Sequence, residues 1–494
     1  MCSPDAVDRS RASQVDHHPR IRLHAYPQFK VFVGHHLELH RSQDHRVTPR
    51  VQAIAVIGDN PPMANRIAVD RMILTSHRID VPVDWNEPSG PQISVFAREV
   101  VAAEKAGDPQ VPAIVWFQGG PGFESGFPEH RGGWLEQLLT RYRVLLLDQR
   151  GTGLSTPLDA RALPVADPVK LGDYLRNFRQ DSIVRDADRF RATLYGEDTD
   201  WYLFGQSFGG FCSLTYLSLL PEHVRGVIIT GGFAPVLHEA EEICTRLFNH
   251  VATLNAAYYA RFPDDAARVR RIVDHLESDD ERDGHGQRLS ARRFLMLGGM
   301  LGHQHGAAEL HAVVERANND LEQLHVLGGR VHEDVADVMS PATNPIYTVL
   351  HEAAYSNGPS TRWAAERARL ADSRFALDAQ PAPCFTGEAV FPWMLEELAP
   401  LQPLCDAAEV LANHEGWAPL YDIARLRANR IPVVGTVYWA DEYVERTMAV
   451  ETVSLLGNCS PWITNEYEHG GYRYDPQRVG ARLFSMLDDL TARG

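Results

Sequence analysis

Short apolar runs recur along the first half of the chain, and each ends in glycine or in polar residues. Four of them occupy residues 113–117, 142–147, 201–204 and 227–230. Strands of a parallel sheet that are covered on both faces lose the alternation of apolar and polar positions, so these runs predict buried strands. Residues 181–194 have apolar side chains every three to four positions, which predicts a helix. Alternating strands and helices predict a doubly wound, mostly parallel α/β sheet.

Extended segments precede these strands and return near the end of the chain. Residues 72–83 and 92–102 predict two strands joined by a turn at 86–90. Further apolar runs at 431–438 and 462–464 predict the last strands, and a helix is expected near 479–490.

Residues 237–420 interrupt this alternation. They contain long helical patterns, at 240–260, 264–276, 308–327 and 361–371, and no convincing buried strand. We therefore predict a sheet domain in two parts, residues 63–236 and 421–494, with a helical cap inserted over residues 237–420. Residues 1–62 are rich in Arg, His, Pro and Asp, so we expect a disordered extension or an upstream start ahead of Met63.

Composition narrows the class of protein. The 494 residues carry a formal net charge of −17, which argues against a broad basic surface for nucleic acid or anionic lipid. The longest apolar runs are too short for a membrane-spanning helix. The six cysteines are widely spaced and form no C-x-x-C pair, which favours free thiols in a reducing cytoplasm over a zinc site or a disulfide framework.

A candidate nucleophile lies between a predicted strand and a predicted helix. The segment Gly205-Gln206-Ser207-Phe208-Gly209 fits G-x-S-x-G, the strained turn of the α/β-hydrolase fold. A serine hydroxyl needs a base and a group that orients the base. In this fold the acid and the histidine follow the nucleophile in that order.

Asp441 follows the penultimate predicted strand and His469 follows the last one, 28 residues later. Glu442 is a rival for the acid, and Asp475 comes too late to suit the topology. The oxyanion of the reaction needs backbone N–H donors, which we expect from Phe208 and from the loop that contains Gly119 and Gly120.

With these motifs identified, the sequence resembles the proline iminopeptidases, which are serine peptidases of the α/β-hydrolase fold, and it looks closest to their longer bacterial branch. The matching stretches are Gly119-Gly120-Pro121-Gly122, residues 148–155 with the sequence DQRGTGLS, residues 205–210, and the surroundings of Asp441 and His469. The resemblance spans about residues 72–490. It implies removal of an N-terminal residue, usually proline, from a short peptide with a free α-amine, without metal or cofactor.

The resemblance also implies that glutamates of the cap bind the substrate's α-amine. The candidates here are Glu352 and Glu388, which lie among aromatic residues that suit the ring of a proline. These aromatic residues are Tyr355, Phe385, Phe391 and Trp393. One position departs from the family pattern, because many relatives have histidine where this chain has Gln118.

Two alternatives remain open on the sequence alone. The same triad serves a hydrolase of a small ester, lactone or amide, and only the cap distinguishes these substrates. An inactive hydrolase fold that acts as a binding module is disfavoured, because the Ser–Asp–His order and both oxyanion elements are intact. Epoxide hydrolysis uses a carboxylate nucleophile where this chain has Ser207.

Overall fold

The computed structural model describes residues 65–338 and 341–493 of the chain. The predicted extension of residues 1–62 lies outside the described residues.

A nine-stranded sheet runs through the described part of the chain. In chain order its strands are β1 (Arg66–Val69), β2 (Met72–Pro82), β3 (Gln92–Ala102), β4 (Ala113–Phe117), β5 (Arg143–Leu147), β6 (Trp201–Gln206), β7 (Val224–Thr230), β8 (Val433–Tyr438) and β9 (Cys459–Thr464). Across the sheet they lie in the order β1-β2-β3-β5-β4-β6-β7-β8-β9. The pairs from β1 through β3 to β5 are antiparallel, and those from β5 to β9 are parallel.

Helices cover both faces of this sheet and fill the interval between β7 and β8. They are α1 (Gly133–Leu139), α2 (Pro168–Leu175), α3 (Gln180–Tyr195), α4 (Phe208–Leu219), α5 (Ala240–Arg261), α6 (Asp265–Ser278), α7 (Ala291–Leu295), α8 (Gly306–Leu324), α9 (Gly329–Asp337), α10 (Pro345–Leu350), α11 (Ala364–Ala371), α12 (Pro392–Glu397), α13 (Cys405–Ala412), α14 (Ile423–Ala428), α15 (Arg446–Leu455), α16 (Gly471–Tyr474) and α17 (Pro476–Thr491).

The apolar core lies on both sides of the sheet. Successive side chains of β4 point to opposite faces, so Ile114 and Trp116 pack with α1 and α17, while Val115 and Phe117 pack with α3 and α4. All five residues of β4 are buried. The predicted mostly parallel α/β sheet is thus confirmed, and the absence of alternation in its strands follows from burial on two faces.

The stretch between β7 and β8 is helical in the residues described, apart from one isolated bridge between Arg282 and Arg288. Part of it has an apolar cluster of its own, which includes Val269, Phe294 and Phe385. Other helices of this stretch pack into the core next to the sheet. Among the described residues, no helix is both long enough and apolar enough to cross a membrane.

Several helix ends differ by a few residues from the sequence prediction, and at two of them the backbone explains why. Helix α11 begins at Ala364 rather than at 361, because Arg362 and Trp363 have φ angles of 48° and 54°. Helix α8 ends at Leu324 rather than at 327, where His325 takes a left-handed conformation with φ of 61°. A left-handed residue cannot continue a right-handed helix.

Candidate active site

Ser207 occupies the turn between β6 and α4. Its φ of 55° and ψ of −125° lie in a region that non-glycine residues rarely adopt. The glycines on either side are required by crowding, since a Cβ on Gly209 would overlap the Phe117 carbonyl oxygen and one on Gly205 would overlap the Gly209 carbonyl. The predicted strained turn is therefore formed, at the carboxyl end of a parallel strand.

Asp441 and His469 form a hydrogen-bonded pair. The Nδ1–H of His469 donates to Asp441, at 2.8 Å from Oδ2 and 3.0 Å from Oδ1. Asp441 is 1% exposed, and its Oδ1 also accepts the N–H groups of Tyr443 and Val444. Burial by itself lowers the pKa of the His469 imidazole, but Asp441 outweighs burial and the pKa is raised above its ordinary value.

The two rivals for the acid contact other groups. Glu442 accepts the Glu388 N–H at its Oε1, over 3.2 Å. Asp475 accepts the Tyr467 hydroxyl and caps the first turn of α17 through the Arg478 N–H. Of the three carboxylates, Asp441 is the one that is hydrogen bonded to His469.

Two consecutive glycines that follow β7, Gly231 and Gly232, pack against His469 and Ser207. A Cβ on Gly231 would lie 3.1 Å from His469 Nδ1, and one on Gly232 would overlap the Ser207 carbonyl oxygen. Within residues 65–338 and 341–493 no hydrogen bond joins the Ser207 hydroxyl to His469. Catalytic hydrogen bonds are often long before substrate binds and shorten in the complex.

The loop after β4 touches the same turn. A Cβ on Gly119 would lie 3.2 Å from the Ser207 Cβ, so the backbone of this loop approaches the serine closely. Gly120 has a φ of 131°, which an L side chain rarely adopts. Gly120 and Phe208 line the same cavity as Ser207. The three residues predicted as oxyanion donors therefore lie around the serine.

A cavity of about 290 Å³ opens next to Ser207. Its wall is formed by Gly120, Pro121, Ser207, Phe208, Phe211, His351, Ala354, Tyr355, Glu388, Tyr443 and Val444. The cavity thus joins the turn after β6 to residues from the helical stretch and from the loop after β8.

Glu388 contributes the carboxylate of this cavity wall. Its Oε1 accepts the Tyr347 hydroxyl at 2.6 Å. Burial raises the pKa of the Glu388 carboxyl, while the Tyr347 hydroxyl and the nearby His469 oppose that rise. A buried carboxylate beside the serine can bind a cationic group of a substrate, which would replace the solvation that burial removes.

Glu352, the other predicted glutamate, lies against a different part of the molecule. Its carboxylate accepts the N–H groups of Ala364 at 3.0 Å and Ala365 at 2.8 Å, which begin α11. Its side chain lines a separate small cavity with Thr361 and Trp363. The structure therefore separates the two candidates: Glu388 faces the cavity at Ser207, and Glu352 caps a helix.

The prediction that four aromatic residues surround the substrate ring is wrong for three of them. Tyr355 lines the cavity, but Phe385 packs against Tyr258 and Phe391 stacks on Trp393 at 5.2 Å, all buried in apolar clusters. Burial away from solvent is the ordinary state of such side chains, and nearness in sequence to Glu388 did not imply a shared cavity. Phe208 and Phe211 supply aromatic wall instead.

Other residues of the site were missed from the sequence. Two of them are Tyr347 and His351, which recur with Tyr355 at every fourth position. Successive rings of the three lie 4.9 and 5.9 Å apart between centroids, so this helical spacing was the available signal. Burial lowers the pKa of His351 to about 4, which leaves it neutral at pH 7. Tyr443 meets the His469 ring edge-on at 4.7 Å.

Glu442 is a further buried acid beside this cavity. It is 2% exposed, and its Oε2 has no hydrogen-bond partner among the described residues. Burial raises its pKa well above the ordinary value, and the neighbouring Glu388 and Asp441 raise it further. In the described part of the chain, no cluster of three His, Cys, Asp or Glu side chains has the arrangement of a metal site.

The chain is similar in sequence to several known proteins. Residues 112–271 match the family model described as alpha/beta hydrolase fold. The chain is similar to a proline iminopeptidase of Aeromonas sobria, with 41% identity over 418 residues that cover 84% of this chain and 96% of that protein. A proline iminopeptidase of Aspergillus aculeatus is 35% identical over 419 residues, which cover 83% of this chain and 93% of the other.

Shorter matches extend to other proteins of the same name. The proline iminopeptidase of Neisseria gonorrhoeae is 30% identical over 131 residues, 26% of this chain and 36% of that protein. The two long matches, in contrast, run through nearly the whole length of the relatives.

Proposed function

The chain belongs to the proline iminopeptidase family of serine hydrolases with the α/β-hydrolase fold, and from this we propose which of its residues perform the reaction. The enzyme is a serine aminopeptidase that releases an N-terminal residue, preferentially proline, from short peptides. We assign the nucleophile to Ser207, the general base to His469 and its orienting acid to Asp441.

In the first half of the reaction, the Ser207 oxygen attacks the carbonyl carbon of the N-terminal residue while His469 takes the hydroxyl proton. His469 then gives this proton to the leaving amine, so that the peptide bond breaks and an acyl-enzyme remains. His469 then takes a proton from a water molecule, whose oxygen attacks the acyl carbon. The bond from that carbon to the Ser207 oxygen breaks, and His469 returns the proton to this oxygen. Asp441 holds the imidazole in the tautomer whose Nε2 can accept a proton.

The negative charge of the tetrahedral intermediate needs fixed donors. We assign this role to the backbone N–H groups of Phe208, Gly119 and Gly120, which lie around the serine. Because they are backbone groups in a crowded turn, they need little reorganisation when the charge develops.

The observation that supports this assignment most directly is the Asp441–His469 hydrogen bond at the sheet edge where the strained Ser207 turn also lies. The three side chains follow β6, β8 and β9, which are parallel, so their carboxyl ends share one edge. The order Ser, Asp, His along the chain is that of the α/β-hydrolase fold.

We assign recognition of the substrate's α-ammonium to Glu388. Its carboxylate lines the cavity at Ser207 and is fixed by the Tyr347 hydroxyl. Phe208, Phe211 and Tyr355 offer apolar wall for a pyrrolidine ring. Glu352 has both oxygens engaged by α11, so we give it a structural role rather than amine binding.

We propose that residues 237–420 form the cap and that residues 63–236 and 421–494 form the catalytic core. The cavity at Ser207 is small and walled partly by residues of this cap, which favours short peptides, because a folded polypeptide cannot enter it. We also propose a cytoplasmic location, in keeping with the five unpaired cysteines among the described residues.

The test is hydrolysis of a panel of arylamides by the purified full chain. We expect prolyl arylamide to be cleaved much faster than alanyl arylamide, and N-acetyl-prolyl arylamide to be refused because its amide carries no positive charge. A simple aryl ester serves as the control for the serine chemistry. Turnover of the ester with refusal of every free-amine arylamide would overturn the peptidase assignment and leave the hydrolase intact.

A further inference from the structure

Gln118 is the residue that departs from the family pattern, and it stands directly before the Gly119–Gly120 backbone. Its side-chain oxygen accepts two hydrogen bonds, one from Arg473 at 2.9 Å and one from the Trp116 indole N–H at 3.2 Å. Its backbone carbonyl accepts the side-chain amide of Gln149 at 2.9 Å. A carbonyl oxygen has two lone pairs, so the side-chain oxygen of Gln118 is fully used.

Arg473 is on α16 and follows His469 by four residues in the chain. Its guanidinium carbon lies 5.7 Å from the ring centroid of Trp116 and 5.9 Å from that of Trp134. These two indoles stack on each other at 3.9 Å, and Trp116 is fully buried. Contact with aromatic faces holds a planar guanidinium in a defined orientation, which an ammonium does not reproduce.

Gln118 and Arg473 therefore connect two loops that carry different parts of the reaction. One loop follows β4 and bears two of the three assigned oxyanion donors, Gly119 and Gly120, and the other follows β9 and bears the assigned base. The hydrogen bond between them is a polar contact that spans these loops directly.

Arg473 also adds a positive charge near His469. Burial lowers the pKa of its guanidinium to about 10, so it remains charged at neutral pH. The other titratable groups around His469 are Asp441, Glu388, Tyr443 and His303. Asp441 and Glu388 raise the pKa of His469, and Arg473 lowers it.

We propose that Arg473 is a positioning residue of this enzyme: through its hydrogen bond to Gln118 it holds the Gly119–Gly120 backbone in place relative to the loop of His469. The proposal rests on the triad and oxyanion assignments above. It gives Gln118 a role in this chain, because the glutamine side chain presents a carbonyl oxygen to the guanidinium.

The experiment compares Arg473→Met, Arg473→Lys and Gln118→Leu with the wild-type chain. We expect Arg473→Met and Gln118→Leu to lower kcat by about 10- to 100-fold, with KM changed less than about threefold. Displaced oxyanion donors reduce the stabilisation of the transition state more than they reduce the affinity for substrate. The double variant should lose no more than about the larger single loss, because both changes break one contact.

The pH profile of kcat/KM gives a second readout, which follows the charge of Arg473 rather than its contact with Gln118. Arg473→Met should move the acid limb to higher pH, because the charge that lowers the pKa of His469 is gone. Arg473→Lys and Gln118→Leu should leave the limb in place, since both keep a cation there. A purely structural role for Arg473 would not move this limb.

Arg482→Met is the matched control, because Arg482 also lies over an indole, 4.6 Å from the ring of Trp462. Circular dichroism and thermal melting verify that each variant is folded. If Arg473→Met does not fold, Arg473→Lys and Gln118→Leu still test the contact between the two residues. Unchanged kcat in folded variants, or additive losses in the double variant, would overturn the proposal.

The rate at which a fluorophosphonate labels Ser207 gives a readout that needs no peptide substrate. If prolyl arylamide is not a substrate of the wild-type chain, the peptidase assignment fails, but the labelling rates of the variants still decide the role of Arg473. If Arg473→Met and Gln118→Leu are labelled as fast as the wild-type chain, the positioning role of Arg473 is contradicted.

Discussion

At the scale of single residues, one substitution tests whether Ser207 is the nucleophile. Replacement of Ser207 by alanine removes the atom that forms the acyl-enzyme, while the crowded glycines that shape the turn remain. We expect Ser207→Ala to fold normally and to lower kcat/KM for prolyl arylamide by about 10⁴- to 10⁶-fold. Labelling by a fluorophosphonate should disappear as well. A folded variant that keeps substantial turnover would contradict the assignment of the nucleophile.

The two glutamates singled out from the sequence form a matched pair of variants. Glu388→Gln removes a charge-assisted hydrogen bond to the substrate ammonium, worth about 1.5–3 kcal/mol, so KM for prolyl arylamide should rise by about 10- to 150-fold. Turnover of a neutral aryl ester should change little. The measurement is steady-state kinetics on both substrates, and an equal effect on the ester would argue against amine binding.

Glu352→Gln should behave in the opposite way. Its new amide group cannot accept one of the N–H groups at the start of α11, and a buried donor without an acceptor costs about 1–3 kcal/mol. The variant should therefore melt at lower temperature while KM stays near the wild-type value. A raised KM with unchanged melting would reverse the roles given to the two residues.

Sequence reasoning reached Ser207, Asp441 and His469 because the order of these residue types after successive strands is fixed by the fold. It could not separate Glu352 from Glu388, since both are glutamates among aromatic residues in helical surroundings. What distinguishes them is whether the carboxylate meets a cavity or a helix end, and that depends on tertiary packing. The same limit applies to Phe385, Phe391 and Trp393, which are aromatic and near Glu388 in sequence but packed elsewhere.

At the scale of the elements, the DQRG motif serves as an anchor rather than as part of the cavity. Arg150 is 1% exposed and pairs with Asp186 of α3, its Nε lying 2.7 Å from Asp186 Oδ2. It also donates to the carbonyls of Val83 and Asn177, and Asp186 accepts the Trp85 indole N–H. The motif thereby fixes the loop after β5 to a helix and to the strand pair that precedes it.

Removal of one partner of this buried pair should be costly. Asp186→Ala leaves the Arg150 guanidinium buried without its counter-ion, and we expect the free energy of unfolding to fall by about 3–5 kcal/mol. Urea denaturation measures the change. Asp159→Ala is the control, because its pair with Arg161 lies on the surface and its loss should leave the denaturation midpoint nearly unchanged. Equal effects of the two substitutions would contradict the anchoring role.

The buried strands could be predicted from the sequence because burial on both faces leaves a continuous apolar run. Strand β1 could not, since its four residues, Arg66–Val69, are almost entirely exposed at the edge of the sheet. Its existence depends on pairing with β2, which no local pattern reveals. Helix α8 is likewise bounded by two left-handed histidines, His305 and His325, and α11 begins after two left-handed residues, Arg362 and Trp363. None of these four residues is a glycine, so no glycine marked these helix ends in the sequence.

At the scale of the whole molecule, a buried acid couples stability to pH. Glu442 has a raised pKa in the folded chain, so it stays protonated there while the unfolded chain ionises above its ordinary pKa of about 4.3. Stability is therefore lost as pH rises through that value, by about 1.4 kcal/mol per pH unit until the folded pKa is reached. Glutamine does not ionise, so the Glu442→Gln variant does not lose stability in this way as the pH rises.

The prediction is that the free energy of unfolding of Glu442→Gln, minus that of the wild type, increases as the pH goes from 5 to 8. Urea denaturation at four pH values measures it. The exposed Glu129→Gln serves as the control and should give a flat difference. A flat difference for Glu442→Gln as well would show that the carboxyl of Glu442 is ionised in the folded chain.

The position of β8 next to β7 has a consequence for synthesis. The two strands pair residue by residue, as in Ile228 with Val434, yet about 200 residues of chain separate them. At the usual rate of translation, β7 emerges from the ribosome about 10–40 s before its neighbour exists. Throughout that interval a buried apolar strand has an open edge, so the nascent chain is a candidate client for chaperones until the last two strands arrive.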